Sequence, residues 1–123
     1  TVGPVKWMAP EQITEQRVSR ASDTYAFGVL LFELHGRVPP WAGVNNLRVA
    51  QLVANGQQLD VPLAAPRVAV ALMTACWRLE PAERPTMSDV AEQLDRACTS
   101  SDSSTSSAAA DRRVAHSERS GGG

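Results

Sequence analysis

Hydrophobic and polar positions change character repeatedly along the 123 residues, and the changes mark the predicted elements. Residues 1–8 mix apolar side chains with Gly3 and Pro4 and read as extended chain. Ala9-Pro10-Glu11-Gln12-Ile13 starts a short helix, because Pro10 suits a first turn and Glu11 favours the positive end of the dipole. Residues 14–21 are a polar connection. Ser22 to Leu34 then runs almost without interruption through apolar residues that follow no single stripe, and Thr24, Gly28 and Glu33 are the exceptions after Asp23. A helix apolar all round belongs in an interior, with neighbours on every side. Ser22 is its expected N-cap, Asp23 its dipole partner, and His35-Gly36 with Pro39 and Pro40 its end.

Three further helices follow. Asn45 or Asn46 caps one whose inner face is Leu47, Ala50, Val53 and Ala54, with Gly56 as its stop. Residues 57–66 form a loop holding Pro62 and Pro66. The next helix spans roughly 67–78, with Val68, Leu72, Ala75 and Cys76 on one face and Met73 and Trp77 widening it. Pro81 and Pro85 force a turn over 80–85, on which Trp77 is expected to pack. Thr86-x-x-Asp89 resembles a capping box and opens the last helix, whose apolar positions are Met87, Val90, Ala91, Leu94 and Ala97/Cys98. No segment alternates with period two over a strand's length, so the expected class is mainly α with no substantial sheet.

After Cys98 the composition changes to Ser, Thr, Ala and charge, with Val114 the only large aliphatic. Such a segment buries too little apolar area to offset its ordering entropy. The expected organisation is a folded body over residues 1–98 and a disordered Ser-rich tail over 99–123.

Composition narrows the function classes. The net charge of −1 argues against bulk attraction to nucleic acid or a membrane surface, and Arg112-Arg113 is too short a basic run to change that. The central apolar run falls short of the roughly 20 residues needed to span a bilayer, and no signal-peptide pattern is visible. Cys76 and Cys98 lie far apart with no metal-ligand spacing, so they read as reduced, buried small hydrophobes of an intracellular, cytoplasmic protein.

Four pieces stand in a fixed order: Pro4-Val5-Lys6-Trp7-Met8-Ala9-Pro10-Glu11; Ser22-Asp23-x-x-Ala26-Phe27-Gly28-Val29-Leu30-Leu31-x-Glu33-Leu34; Pro40-Trp41; and Cys76-Trp77-x-x-x-Pro81-x-x-Arg84-Pro85-Thr86. Together they resemble the C-terminal half of the eukaryotic protein kinase domain, from the end of its activation segment to its last helix. The resemblance covers about residues 1–98. It implies the helical C-terminal lobe of an α+β parent fold, and an enzyme that transfers the terminal phosphoryl group of ATP, with Mg, to a protein hydroxyl.

The residues that handle nucleotide in that family are not in the sequence. There is no Gly-x-Gly-x-x-Gly, no His-Arg-Asp and no Asp-Phe-Gly, and the single lysine, Lys6, stands in the first segment. In the family these elements precede the point matched by Thr1. The expectation is a fragment with no catalytic, cofactor or metal residues of its own, inactive alone, whose partners are a protein substrate and the missing N-terminal lobe and catalytic loop. A catalytically dead, kinase-like scaffold for protein contacts is the alternative.

The resemblance assigns roles to particular positions. Gly3, Pro4, Val5, Lys6 and Trp7 match the wall against which the substrate peptide lies; the lesser alternative is that Pro4 and Trp7 merely shape a turn and pack. Pro4 replaces the threonine usual in serine/threonine kinases. Tyrosine kinases carry a similar Pro-Val-Lys-Trp-Met-Ala-Pro-Glu, and tyrosine-kinase-like serine/threonine enzymes a similar Gly-Pro-x-Lys-Trp-Met, so both groups stay open. Glu11 and Arg84 match the glutamate and arginine that form a buried ion pair in the family. Asp23 matches the aspartate that accepts backbone N–H bonds from the catalytic loop.

Overall fold

The computed structural model describes residues 5–104, with side chains to Thr99, and every described element is helical. The chain divides into two units, Thr1–Val90 and Ala91–Gly123.

In the first unit Val5–Trp7 forms a single 3-10 turn, where the sequence predicted extended chain. At its end Met8 N–H donates to the Val5 carbonyl at 3.1 Å. Helix α1, Pro10–Glu15, begins on an extended Ala9 whose N–H donates to the Gln12 side chain at 3.0 Å. It ends where Gln16 turns left-handed, at φ 54°.

Helix α2, Arg20–Gly36, starts three residues before the expected point. Ser19 is its N-cap: the Ser19 hydroxyl accepts from Ser22 N–H at 3.3 Å, and the Ser22 hydroxyl accepts from Ser19 N–H at 2.8 Å. Two serines three apart thus fill both halves of a capping box, and Ser22 is its N3 member, not the cap. At the other end Gly36 stays helical, and Arg37 takes the left-handed position at φ 57° with its N–H on the Glu33 carbonyl. A Cβ on Gly36 would lie 3.3 Å from the Pro62 ring, so that glycine answers to a close approach.

Helix α3, Asn46–Ala54, is capped by Asn45, which accepts from Arg48 N–H at 2.9 Å. Its buried face is Val49 and Val53, with Leu52 and Ala50 half-buried. Leu47 is 72% exposed and Ala54 is exposed, so the expected inner face is corrected by a rotation. Six of nine α3 residues are apolar and cover an arc opposite Arg48 and Gln51 that is wider than the buried face, with Val49 and Val53 near its middle and Leu47 and Ala54 at one edge. The choice is made by what it meets: Val49 and Val53 close on Val5, with Met8, Ile13, Trp41 and Val44 around them.

Helix α4, Arg67–Cys76, follows the extended Pro66 and ends at Trp77. Its Ala69, Leu72, Met73 and Cys76 are buried and its main neighbour is α2, which contributes Tyr25, Val29, Leu31 and Phe32 to the buried set. Trp77 lies against α2, with its ring centroid 6.5 Å from that of Phe32. An ideal Cβ on Gly28 would come within 2.7 Å of its Nε1, so glycine here is what lets the two helices approach. Pro81–Glu83 is a 3-10 turn.

Helix α5, Met87–Ser104, begins with the expected reciprocal cap. Thr86 Oγ accepts from Asp89 N–H at 3.0 Å, and Asp89 Oδ2 accepts from Thr86 N–H at 3.1 Å. Val90 is buried in the first unit.

The second unit continues α5, where Arg96 pairs with Glu92 one turn earlier. Cys98 is exposed, which corrects the expectation of two buried cysteines; Cys76 is buried, and both are free. Helical backbone runs on to Ser104, past residue 98, where composition predicted order to end. A helix already nucleated at a capped start gains one bond for each residue it adds, even among poor formers. Residues 105–123 lie outside the described residues.

Candidate functional site

Arg84 sits in the extended backbone between the Pro81–Glu83 turn and α5, held by Pro85 behind it. Glu11 is the second residue of α1. The structure brings these two side chains together across 73 residues: Nη1 donates to Glu11 Oε2 at 2.7 Å and Nη2 to Oε1 at 2.8 Å. The planar guanidinium matches a carboxylate bidentately, which fixes orientation as well as proximity. Both side chains are almost dry, at 0% and 4% exposure.

Arg84 does more than bind Glu11. Its Nε donates to the Arg78 carbonyl at 2.8 Å, Nη1 to the Ala21 carbonyl at 3.0 Å and Nη2 to the Leu79 carbonyl at 3.4 Å. One guanidinium therefore ties together α1, the first turn of α2 and the loop after α4. The cation also lies 5.1 Å from the centre of the Tyr25 ring, within range of attraction by its face.

The electrostatics follow from that packing. Burial pushes the Glu11 carboxyl up, but the Arg84 hydrogen bonds, its own backbone N–H and the charges of Arg84 and Arg17 outweigh it and leave the group below its ordinary value. Burial also pushes the Tyr25 hydroxyl up to about 12, with Arg84 opposing and Glu11 adding to the rise.

The Val5–Trp7 turn lies between α2 and α3. Val5 is buried in the Val49–Val53 cluster, and Lys6 is half-buried. Trp7 Nε1 donates to Glu33 Oε1 on α2 at 2.7 Å. Sequence reasoning gave Glu33 no role. The available signal was its standing as the one charged residue between Asp23 and His35 in an apolar run. Gly3 and Pro4 lie outside the described residues.

Asp23 is exposed at the rim of an apolar hollow of about 580 Å³, whose other lining residues are Trp7, Ala26, Phe27, Leu30 and Met87. Leu30 is 54% exposed and Leu34, one turn on, 68%. The central helix thus packs on α4 with one face and leaves another open. Among the described residues no group of three or more His, Cys, Asp or Glu converges as a metal site would require. An apolar hollow with one carboxylate also lacks the cationic and backbone N–H donors that a polyphosphate needs. That hollow does not fit Mg-ATP.

The sequence profile described as "Protein tyrosine and serine/threonine kinase" matches residues 1–94. The high affinity nerve growth factor receptors of Rattus norvegicus and Mus musculus are each 36% identical over 96 residues, which is 76% of this chain and 12% of the receptor. Tyrosine-protein kinase FRK of Homo sapiens is 37% identical over 94 residues, 75% of this chain and 18% of that kinase. The chain therefore spans less than a fifth of the length of these relatives. No helix among the described residues is long and apolar enough to cross a membrane. A profile match over most of the chain, with the motif residues in family order on a wholly helical framework, shows that the chain belongs to the protein tyrosine and serine/threonine kinase family.

Proposed function

We propose that this chain is the substrate-side helical lobe of a protein kinase and serves ATP-dependent phosphoryl transfer to a serine, threonine or tyrosine hydroxyl of a protein. The observation that carries the reading is the Glu11–Arg84 pair. It clamps the Ala9-Pro10-Glu11 segment to the loop before α5, and so holds the chain preceding α1 at a defined place on the lobe. In this reading residues 3–7 form the wall that the substrate peptide lies against, Asp23 accepts backbone N–H groups from a catalytic loop, and the apolar hollow beside Asp23 receives that loop's side chains. The lobe contributes positioning. ATP and Mg are handled by elements that the 123 residues do not contain, and the setting is the cell interior, where ATP is available and both cysteines stay reduced.

One observation favours a second reading. Beside the hollow α2 presents an open apolar face, with Leu30 and Leu34 exposed, as a kinase-like scaffold for protein contacts would. Reading the coding sequence upstream of Thr1 and expressing the extended protein separates the two. His-Arg-Asp and Asp-Phe-Gly upstream, with transfer of the γ-phosphoryl of ATP to poly(Glu,Tyr) or myelin basic protein, support the enzyme. Degraded motifs and no transfer establish the scaffold. The 123-residue chain alone is expected to show no saturable rise in melting temperature with Mg-ATP.

A further inference from the structure

We propose that the open stripe of α2 is where two copies of this chain meet, antiparallel about Leu30, with Asp23 of each copy against Arg37 of the other. This rests on the reading of that face as a surface for protein contacts.

Successive residues of α2 leave its axis about 100° apart, which gives the helix two opposite faces. Tyr25, Gly28, Val29 and Phe32 are on the packed side and are buried. Leu30, 54% exposed, stands on the other side, and Leu34 at 68% lies within about 60° of it, as do the half-buried Ala26 and Phe27. Asp23 and Arg37 each stand seven residues from Leu30, nearly two full turns, so both fall within about 20° of the same line. Both are exposed, and neither is paired with an opposite charge among the described residues.

The stripe thus runs acid, apolar, base, with Leu30 at its midpoint. That order selects the occupant. A two-fold axis at Leu30 lays the apolar middle on itself and sets a carboxylate opposite a guanidinium at each end, about 10 Å from the axis. A parallel pair would bring Asp23 to Asp23 and Arg37 to Arg37, which repel. Size sets the strength. Two exposed leucines with two half-buried neighbours fall well short of the roughly 800 Å² per partner of a stable interface. The pair is therefore weak and forms as concentration rises between about 10 μM and about 1 mM, leaving the stripe open in dilute solution. Pairing and a catalytic loop on Asp23 use the same face and exclude one another.

Sedimentation equilibrium of the 123-residue chain across that range tests the assignment, with circular dichroism melts to establish that each variant is folded. The parent is expected to pass from monomer to dimer. Asp23→Arg and Arg37→Asp should each weaken the dimer about ten-fold, and the double swap Asp23→Arg/Arg37→Asp should restore it. Leu30→Glu, which sets two like charges on the axis, should abolish it. Orientation is read separately in a Cys98→Ser background under mild oxidation. Leu30→Cys is expected to form an intermolecular disulfide, and Leu34→Cys, about 12 Å from its equivalent in an antiparallel pair, is not. A parent that stays monomeric to about 1 mM, or assembles without limit, overturns the proposal. So does a dimer that the double swap fails to restore, or equal cross-linking at positions 30 and 34. Phosphoryl transfer by the protein extended upstream of Thr1 refutes the scaffold reading of the face, while sedimentation of the 123-residue chain still decides the pairing.

Discussion

Replacing Glu11 by Gln changes one oxygen to an amide nitrogen and tests what the 73-residue clamp contributes. In the native structure the Glu11 carboxylate receives two charge-assisted bonds, at 2.7 and 2.8 Å, inside an environment that excludes water from both partners. The glutamine keeps one acceptor but turns an N–H₂ group toward an Arg84 N–H, and the guanidinium charge is left buried without a counter-ion. Removing one partner of such a pair costs about 3–5 kcal/mol. The lower end applies here, since Arg84 retains three carbonyl acceptors and the Tyr25 face, so the expected loss is about 3 kcal/mol. For a unit of under a hundred residues that lowers the melting temperature by about 12 °C or more. Arg84→Met should cost more, towards about 5 kcal/mol, because it strands both the carboxylate and three carbonyls.

The assay is urea and thermal unfolding followed by circular dichroism on the parent, Glu11→Gln, the singles Glu11→Leu and Arg84→Met, and the double variant Glu11→Leu/Arg84→Met that combines those two. The double variant should lose clearly less than the sum of the singles, since two apolar side chains leave no orphaned charge. The pH dependence gives an independent sign. The folded Glu11 pKa lies below its ordinary 4.5, so the carboxyl stabilises the fold above 4.5 and that contribution disappears as pH falls through the lowered value. The parent should therefore lose stability below pH 4.5 more steeply than Glu11→Gln. A Glu11→Gln loss under about 1 kcal/mol, with additive single and double variants, would refute the argument, because such values belong to exposed pairs.

Three further outcomes are expected. Gly28→Ala places a methyl 2.7–2.8 Å from Trp77 Nε1 and the Cys76 Cβ, and should cost about 1–3 kcal/mol by overpacking; a neutral substitution in urea melts would mean that α2 and α4 are not in close approach. Thiol labelling with Ellman's reagent at pH 8 should consume one equivalent rapidly and the second only on unfolding, since Cys98 is exposed while burial pushes the Cys76 thiol up to about 11. The open face of α2 should bind the hydrophobic dye ANS, and Leu30→Glu with Leu34→Glu should reduce that signal without lowering the melting temperature by more than a few degrees; an unaltered dye signal would place the apolar surface elsewhere.

The amino-acid sequence determined what depends on neighbours in the chain. Thr86 and Asp89 cap each other within one turn, Asn45 caps α3, and the prolines at 62, 66, 81 and 85 keep their loops out of α-helix, because each effect acts over three or four residues. Motif order also marked Glu11, Arg84, Asp23 and the first segment, although no rule of periodicity or charge would have joined residues 73 positions apart. Where two local solutions competed, sequence alone chose wrongly: Ser19 and Ser22 are both good caps, and only the backbone path puts Ser19 first. The tertiary structure decided the rest. It narrowed the wide apolar arc of α3 to Val49 and Val53, because Val5 stands opposite them. It gave Glu33 a partner that lies 26 residues away, and made Arg84 a junction of three carbonyls besides Glu11. These are consequences of chain folding back on itself, and directional contacts between distant residues exist only once the helices that carry them have packed.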